Sequence, residues 1–136
     1  MFTYTTTIRL HDTDAAGVIY FATQFRLAHE AYEAFMAESG TSLSALLKKG
    51  SFALPIVHAE ANYSSPLRLG DEVTIKLRLQ RLGKTSFTLV SRFSANGKPT
   101  GYVTTTHVAV SRSTGHKLLL PASLKKIIQR LRASAA

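Results

Sequence analysis

Apolar and polar positions alternate from Phe2 to Leu10, with Phe2, Tyr4, Thr6, Ile8 and Leu10 on one side, which predicts a strand. From Tyr20 to Ser39 the period lengthens. Phe21, Phe25, Ala28, Tyr32, Phe35 and Met36 then fall on one stripe at helical spacing, and Gly40 supplies a stop. Arg26 and Glu30 can pair at i,i+4 on the outer side of that helix. Ser42 to Lys49 predicts a short second helix, capped by Thr41 or Ser42 and ended by Gly50.

After Pro55 the pattern returns to alternation. Strands are predicted over Ile56–Tyr63, Val73–Leu82, Thr85–Ser94 and Gly101–Arg112. Ser64-Ser65-Pro66, Leu69-Gly70-Asp71, Gly83-Lys84 and Asn96-Gly97 are turn material between them. Ser123 can cap a last helix with Leu124, Ile127, Ile128 and Leu131 inward and Lys125, Lys126, Arg130 and Arg132 outward. The order implies one α+β domain. A curved antiparallel sheet of about five strands should wrap around one long helix and bury its aromatic stripe.

Composition narrows the chemistry. Apolar residues make up 45% of 136 positions, enough for a core and against wholesale disorder. There is no cysteine, so disulfides, thiolate nucleophiles and zinc–thiolate sites are excluded. The first residues lack a basic region followed by an apolar run, and no apolar stretch approaches the ~18 residues of a membrane span. A soluble cytoplasmic protein is expected.

Charge is uneven within the net +9. All eight acids lie at or before Glu72, whereas Val73 to Ala136 carries twelve Lys and Arg and no acid. Such a half-molecule attracts polyanions: nucleic acid, an anionic membrane or a phosphorylated small molecule. No basic–aromatic recognition motif or helix-turn-helix supports nucleic acid. A solvated basic surface would account for the charge equally well.

Several catalytic templates are missing. The chain has no G-x-S-x-G elbow, no G-x-x-x-x-G-K-[ST], no G-x-G-x-x-G and no H-E-x-x-H. A calcium loop starting at Asp12 fails at Ala16 and Thr23, where an oxygen ligand and a bidentate Glu are required. What remains is the run Asp12-Thr13-Asp14-Ala15-Ala16-Gly17-Val18-Ile19-Tyr20-Phe21. It places a carboxylate, Asp14, ahead of a small-residue turn that leads into the long helix. The free N–H groups near Tyr20 and Phe21 could hold an oxyanion there. A carboxylate can attack an activated acyl group or deprotonate water. Equally, Asp12 or Asp14 could simply cap the turn.

That run resembles the signature of the hotdog-fold acyl-CoA thioesterases of the 4-hydroxybenzoyl-CoA thioesterase type. Tyr63-Ser-Ser-Pro66-Leu-Arg-Leu-Gly70-Asp71 and Arg81-Leu-Gly83-Lys84-Thr85-Ser86-Phe87 resemble two further landmarks of that family. The similarity runs from about residue 2 to 130. Longer matches at His29-Glu-Ala-Tyr-Glu33 and Phe52-Ala-Leu-Pro-Ile-Val-His58-Ala-Glu60 resemble a branch that cleaves a dihydroxynaphthoyl-CoA ester in phylloquinone synthesis. Other acyl-CoA esters are the alternative.

The resemblance implies site residues. Asp14 matches the family's catalytic Asp, and the Phe21 N–H matches its oxyanion donor. Gly17, Tyr20, His58, Arg81, Lys84, Thr85 and Ser86 match substrate and CoA positions. It also implies no metal or redox cofactor, and a homodimer joined sheet edge to sheet edge, stacked into a tetramer. Each site would then draw on two subunits. His29 can line an acyl pocket or sit satisfied in the core. His58 and Glu60 share a strand face and can bind substrate or pair with each other.

Overall fold

The computed structural model describes residues 1–40 and 50–132. Five antiparallel strands form the main sheet: β1 (Phe2–Thr7), β3 (Ile56–Tyr63), β4 (Glu72–Leu82), β5 (Ser86–Ala95) and β6 (Lys98–Val108). Their order across the sheet is β1-β4-β5-β6-β3. A second, two-stranded sheet pairs β2 (Phe52–Ala53) with β7 (Val110–Ser111). Helix α1 (Phe21–Glu38) lies against the inner face of β4, β1 and β6, and α2 (Ala122–Gln129) packs on β4.

The alternation in the sequence explains which face is inner. Ile75, Leu77, Leu89, Phe93 and Val103 are buried towards α1, while Lys76, Arg78, Arg92 and Tyr102 lie on the outer face. From α1, Leu27 and Ala31 pack with Val73, Ile75 and Phe93. Farther along, Tyr32, Phe35 and Met36 meet Leu77, Phe87 and Leu89, with Leu124, Ile128 and Leu131 closing that end. Burying one such side chain stabilises by about 1.5–3 kcal/mol, whereas an exposed ion pair contributes ~0–1. The apolar stripe therefore seats the helix, and His29–Glu33 on its surface does not.

Several boundaries differ from the expectation. β1 stops at Thr7, and Leu10 enters a 3-10 turn over Leu10–Asp12, 73% exposed rather than inward. Phe21 is 61% exposed at the helix start, and its place in the buried face falls to Thr23 and Gln24. β6 begins at Lys98, three residues before Gly101, because the tight turn at Asn96 (φ 53°) and Gly97 (φ 73°) pairs Ala95 with Lys98 directly. It breaks at Ala109, after which β7 leaves to pair with β2. The last helix starts at Ala122 after Pro121, so Ser123 lies inside it and caps nothing. The short helix expected over Ser42–Lys49 lies outside the described residues.

Candidate active site

Asp14 sits in a tight loop fastened at both ends. Its N–H donates to the Val18 carbonyl (3.0 Å), and its carbonyl accepts from the Gly17 N–H (3.0 Å). Gly17 has φ +82°, a left-handed value that favours glycine, so Gly17 makes the turn. Thr13 bridges to Ile19 and Val18 to Arg68, and the Ile19 N–H donates to the Leu67 carbonyl (2.9 Å). The turn thus does not run straight into the helix. It first adds a two-residue extended stretch that anchors it to the Leu67–Arg68 segment.

Asp12 ties this loop to α1. Its carboxylate is 3% exposed and accepts from the Arg9 N–H (2.8 Å) and from the Arg26 guanidinium, which also pairs with Glu30. The Asp12 carbonyl accepts both the Tyr20 N–H (2.9 Å) and the Thr23 hydroxyl (3.1 Å). The Tyr20 N–H is therefore occupied, which removes it from the expected oxyanion donors. The N–H groups of Phe21 and Ala22, the first two helical positions, have no carbonyl one turn back inside the helix and no other backbone partner among the described residues. They carry the positive end of the helix dipole.

Asp14, Tyr20, Phe21, Tyr63, Pro66 and Leu67 line one open groove of about 450 Å³. The Asp14 side chain is exposed, and one carboxylate oxygen accepts from the Ala16 N–H (2.8 Å), leaving the other unbonded among the described residues. The Tyr20 and Phe21 rings lie 4.7 Å apart at the groove's edge. The Tyr63 hydroxyl donates to the Phe21 carbonyl (2.5 Å) and fixes the first helical turn against the end of β3. A carboxylate that shares a groove with an unpaired helix N–H can cleave a carbonyl compound: the first attacks or activates water, and the second holds the developing negative charge.

The remaining expected residues lie elsewhere. Tyr63, Gly101, Phe93 and Ile75 form one row across the sheet, and Ile56, His107 and Phe87 form another six residues along β5. The second row is about 20 Å away at the usual strand rise. Arg81, Lys84, Thr85 and Ser86 belong to the β4–β5 hairpin at that far end, held by Gly83 N–H to Ser86 carbonyl (2.8 Å) and Ala109 N–H to Thr85 carbonyl (2.9 Å). A single chain does not bring them to Asp14. His58 points to the outer face of β3 beside Glu60 (3.8 Å), so those two pair with each other, away from the groove.

Sequence reasoning missed Gln24 and Tyr63 as site-forming residues. Gln24 is 1% exposed, and its side-chain N–H groups donate to the carbonyls of Asn62 (2.9 Å) and Tyr102 (3.3 Å). It joins α1 to both β3 and β6. Its one signal in the sequence is a polar residue between Phe21 and Phe25 of the aromatic stripe.

A second cavity, about 340 Å³, lies between α1 and the sheet towards the Ile56 end of β3. Phe25, His29, Tyr32, Ser91 and His107 are among its walls. Burial, then the His29 charge, pushes His107 down to about 4. Burial, then Glu33, pushes the Tyr32 phenol above its ordinary range.

The thioesterase-like superfamily profile matches residues 8–128. The chain is 41% identical over 123 residues, 90% of each sequence, to a protein of Synechococcus elongatus named 1,4-dihydroxy-2-naphthoyl-CoA hydrolase. It superposes with TM-score 0.90 on Slr0204, a 1,4-dihydroxy-2-naphthoyl-CoA thioesterase from Synechocystis, at 31% identity and 96% of both chains. A gentisyl-coenzyme A thioesterase superposes with TM-score 0.82 at 27% identity, over 90% of this chain and 98% of that one. With its profile match, its relatives and its five-stranded sheet around α1, the chain belongs to the thioesterase-like superfamily and has the hotdog fold.

Proposed function

We propose that this protein hydrolyses a hydroxylated aromatic acyl-CoA thioester, namely 1,4-dihydroxy-2-naphthoyl-CoA, releasing the naphthoate and CoA. The observation that carries the reading is the shared groove of Asp14 and the unpaired Phe21 N–H. The free Asp14 oxygen takes a proton from the water that attacks the thioester carbonyl, or attacks that carbonyl itself to give a mixed anhydride, which water then hydrolyses to the naphthoate and the restored carboxylate. The carbonyl oxygen becomes an oxyanion against the Phe21 N–H, and CoA leaves as the thiolate. This chemistry uses no metal and no redox cofactor, and we assign it to the cytoplasm. Among the described residues no helix is long and apolar enough to cross a membrane.

The working unit is a homodimer, itself paired into a tetramer. Among the described residues β6 is the one strand that pairs with β3, and Ile56, Val57 and Tyr63 on β3 are 41–61% exposed. An open apolar edge of this kind favours pairing with another strand. Antiparallel pairing of two copies of β3 sets the Tyr63 end of one against the Ile56 end of the other. That exchange brings a second copy's Arg81–Ser86 hairpin towards the Asp14 groove, which accounts for the separation of those residues within one chain. Arg81 and Lys84 would then meet CoA phosphates.

A second reading, a different hydroxylated aryl ester such as gentisyl-CoA, is favoured by the resemblance to the gentisyl-coenzyme A thioesterase. Thiol release from dihydroxynaphthoyl-, gentisyl-, 4-hydroxybenzoyl-, acetyl- and palmitoyl-CoA separates the two. The proposal expects the highest kcat/KM with the naphthoyl ester. Preference for a fatty or short-chain ester would overturn it.

A further inference from the structure

The outer face of the sheet, turned away from α1, carries a trough that the Asp14 chemistry does not use. Two adjoining hollows, of about 580 and 280 Å³, share Arg92 and Tyr102 as walls. The strand register explains the larger one. Glu60, Thr104, Val90 and Arg78 form one row across β3, β6, β5 and β4, and Arg92 lies opposite Tyr102 in the next row. Val90 is 8% exposed and Thr104 7%. These short side chains make a floor, and the long ones of Glu60, Arg78, Arg92 and Tyr102 stand around it.

Lys76 lines the smaller hollow and stands directly opposite Arg92, with Arg78 two residues farther along β4. Opposed side chains on antiparallel strands come within ~5 Å at Cβ, and like charges so placed destabilise the pair. No acid pairs with Lys76, Arg78 or Arg92 among the described residues. Glu60, the acid on the wall, stands across the floor and meets His58 (3.8 Å) instead. An anion set between the three cations turns their repulsion into attraction. Arg offers a planar fork that takes two phosphate oxygens at once, and Lys a point charge. A single phosphate engages one or two of these groups, whereas a chain of linked phosphates engages all three. The Tyr102 and Thr104 hydroxyls can donate to further oxygens, and the Tyr102 ring offers a face to a base. We propose that the trough binds a free nucleoside triphosphate, separately from the CoA ester at the Asp14 groove.

Calorimetric titration at low salt tests it, with ATP, inorganic tripolyphosphate and citrate as probes. The proteins are wild type, Arg78→Gln, Arg92→Lys and Lys126→Gln; Lys126 is an exposed cation on α2, away from the trough. ATP and tripolyphosphate should compete for one site, with citrate at least about ten-fold weaker. Arg78→Gln should weaken ATP at least about ten-fold, and Lys126→Gln by less than about two-fold. Arg92→Lys should weaken ATP as well, because the charge stays and the fork goes. Equal losses in Arg78→Gln and Lys126→Gln, or citrate as tight as ATP, would mark a diffuse basic surface and overturn the proposal. So would the absence of binding, as when a second copy covers the face. Tighter binding of a single-stranded oligonucleotide than of ATP would assign the face to nucleic acid instead.

CoA carries phosphates of the same chemistry, and Ser64 lines both the smaller hollow and the Asp14 groove. Titration of CoA into ATP-saturated protein separates the two sources. CoA should bind with the stoichiometry it has in the absence of ATP; mutual displacement would make the trough part of the substrate's own site and overturn the proposal. Binding is read without turnover, so the outcome stands apart from the reading of the Asp14 groove. Thermal unfolding adds a second readout. Removing one of two opposed like charges in Arg92→Gln should raise the Tm of the free protein at low salt and abolish the rise that ATP gives the wild type. An ATP-induced rise that survives in Arg92→Gln would contradict the site.

Discussion

The Tyr63 hydroxyl and the Phe21 carbonyl are joined by a 2.5 Å hydrogen bond that links the free edge strand to the start of α1. Partial desolvation raises the phenol from a value already well above neutrality, and it is the donor in this bond. Tyr63 is a positioning residue. Tyr63→Phe should lower kcat about ten-fold by letting the first helical turn drift, with a smaller change in KM. Steady-state kinetics on the naphthoyl ester check the split. A rise in KM with unchanged kcat would make Tyr63 a simple binding contact.

Gly101 of β6 pairs with Tyr63 of β3 and lies close against the Asn62 carbonyl. A Cβ at position 101 would stand 2.2 Å from the Asn62 carbonyl oxygen and 3.1 Å from the Gln24 amide nitrogen. Gly101→Ala must therefore push β3 outward and disturb the Gln24 bonds that hold α1 to the sheet. We expect a loss of about 1–3 kcal/mol in urea unfolding, of the size seen for overpacking. Gln24→Leu, which removes the amide and leaves two carbonyls short of one donor, should cost a similar amount.

The strands and the helix were legible because their periods are strong. Ile56–Tyr63 was read to the residue, and Val73–Leu82 to within one. The β2–β7 pair was not legible, since two-residue strands carry no period and depend on where tertiary packing leaves Phe52 and Ser111. At the site, Asp14 and Phe21 could be read from one short run, and they do share a groove. The occupied Tyr20 N–H could not, because its partner is a backbone carbonyl eight residues away, at Asp12. Nor does alternation say whether His58 faces the groove or the outer surface. That depends on which sheet face α1 covers, and the inward set includes Ala59, Ala61 and Tyr63.

Acid should weaken the protein through His107. Its folded value near 4 lies below the ordinary 6.5, so the unfolded chain binds the proton more readily between those values. The contribution, about 3 kcal/mol, is complete above pH ~6.5 and is lost as pH falls towards 4. Tyr32 and His29 face this ring, and His29 in turn meets Glu33 (3.1 Å). Urea midpoints at pH 7, 5.5 and 4.5 should fall in that order, and His107→Gln should flatten the trend.

Substrate capture should depend on salt. Lys76 stands directly opposite Arg92 on the outer sheet face, with Arg78 beside them and no acid paired to any of the three among the described residues. Like charges so placed sustain a positive field that draws an anionic CoA ester. Between 10 and 300 mM salt (roughly, from a long to a short screening length) kcat/KM should decline while kcat stays level. A flat kcat/KM would remove steering from the account.

The Asp14 carboxylate, in one groove with the Phe21 N–H, is assigned the cleavage. The direct measurement is thiol release from 1,4-dihydroxy-2-naphthoyl-CoA by wild type and Asp14→Asn, alongside binding of the intact ester to each. In Asp14→Asn, kcat should fall at least about 10³-fold while Kd changes little, since the amide keeps the shape and loses the base. Wild-type turnover by Asp14→Asn would contradict it.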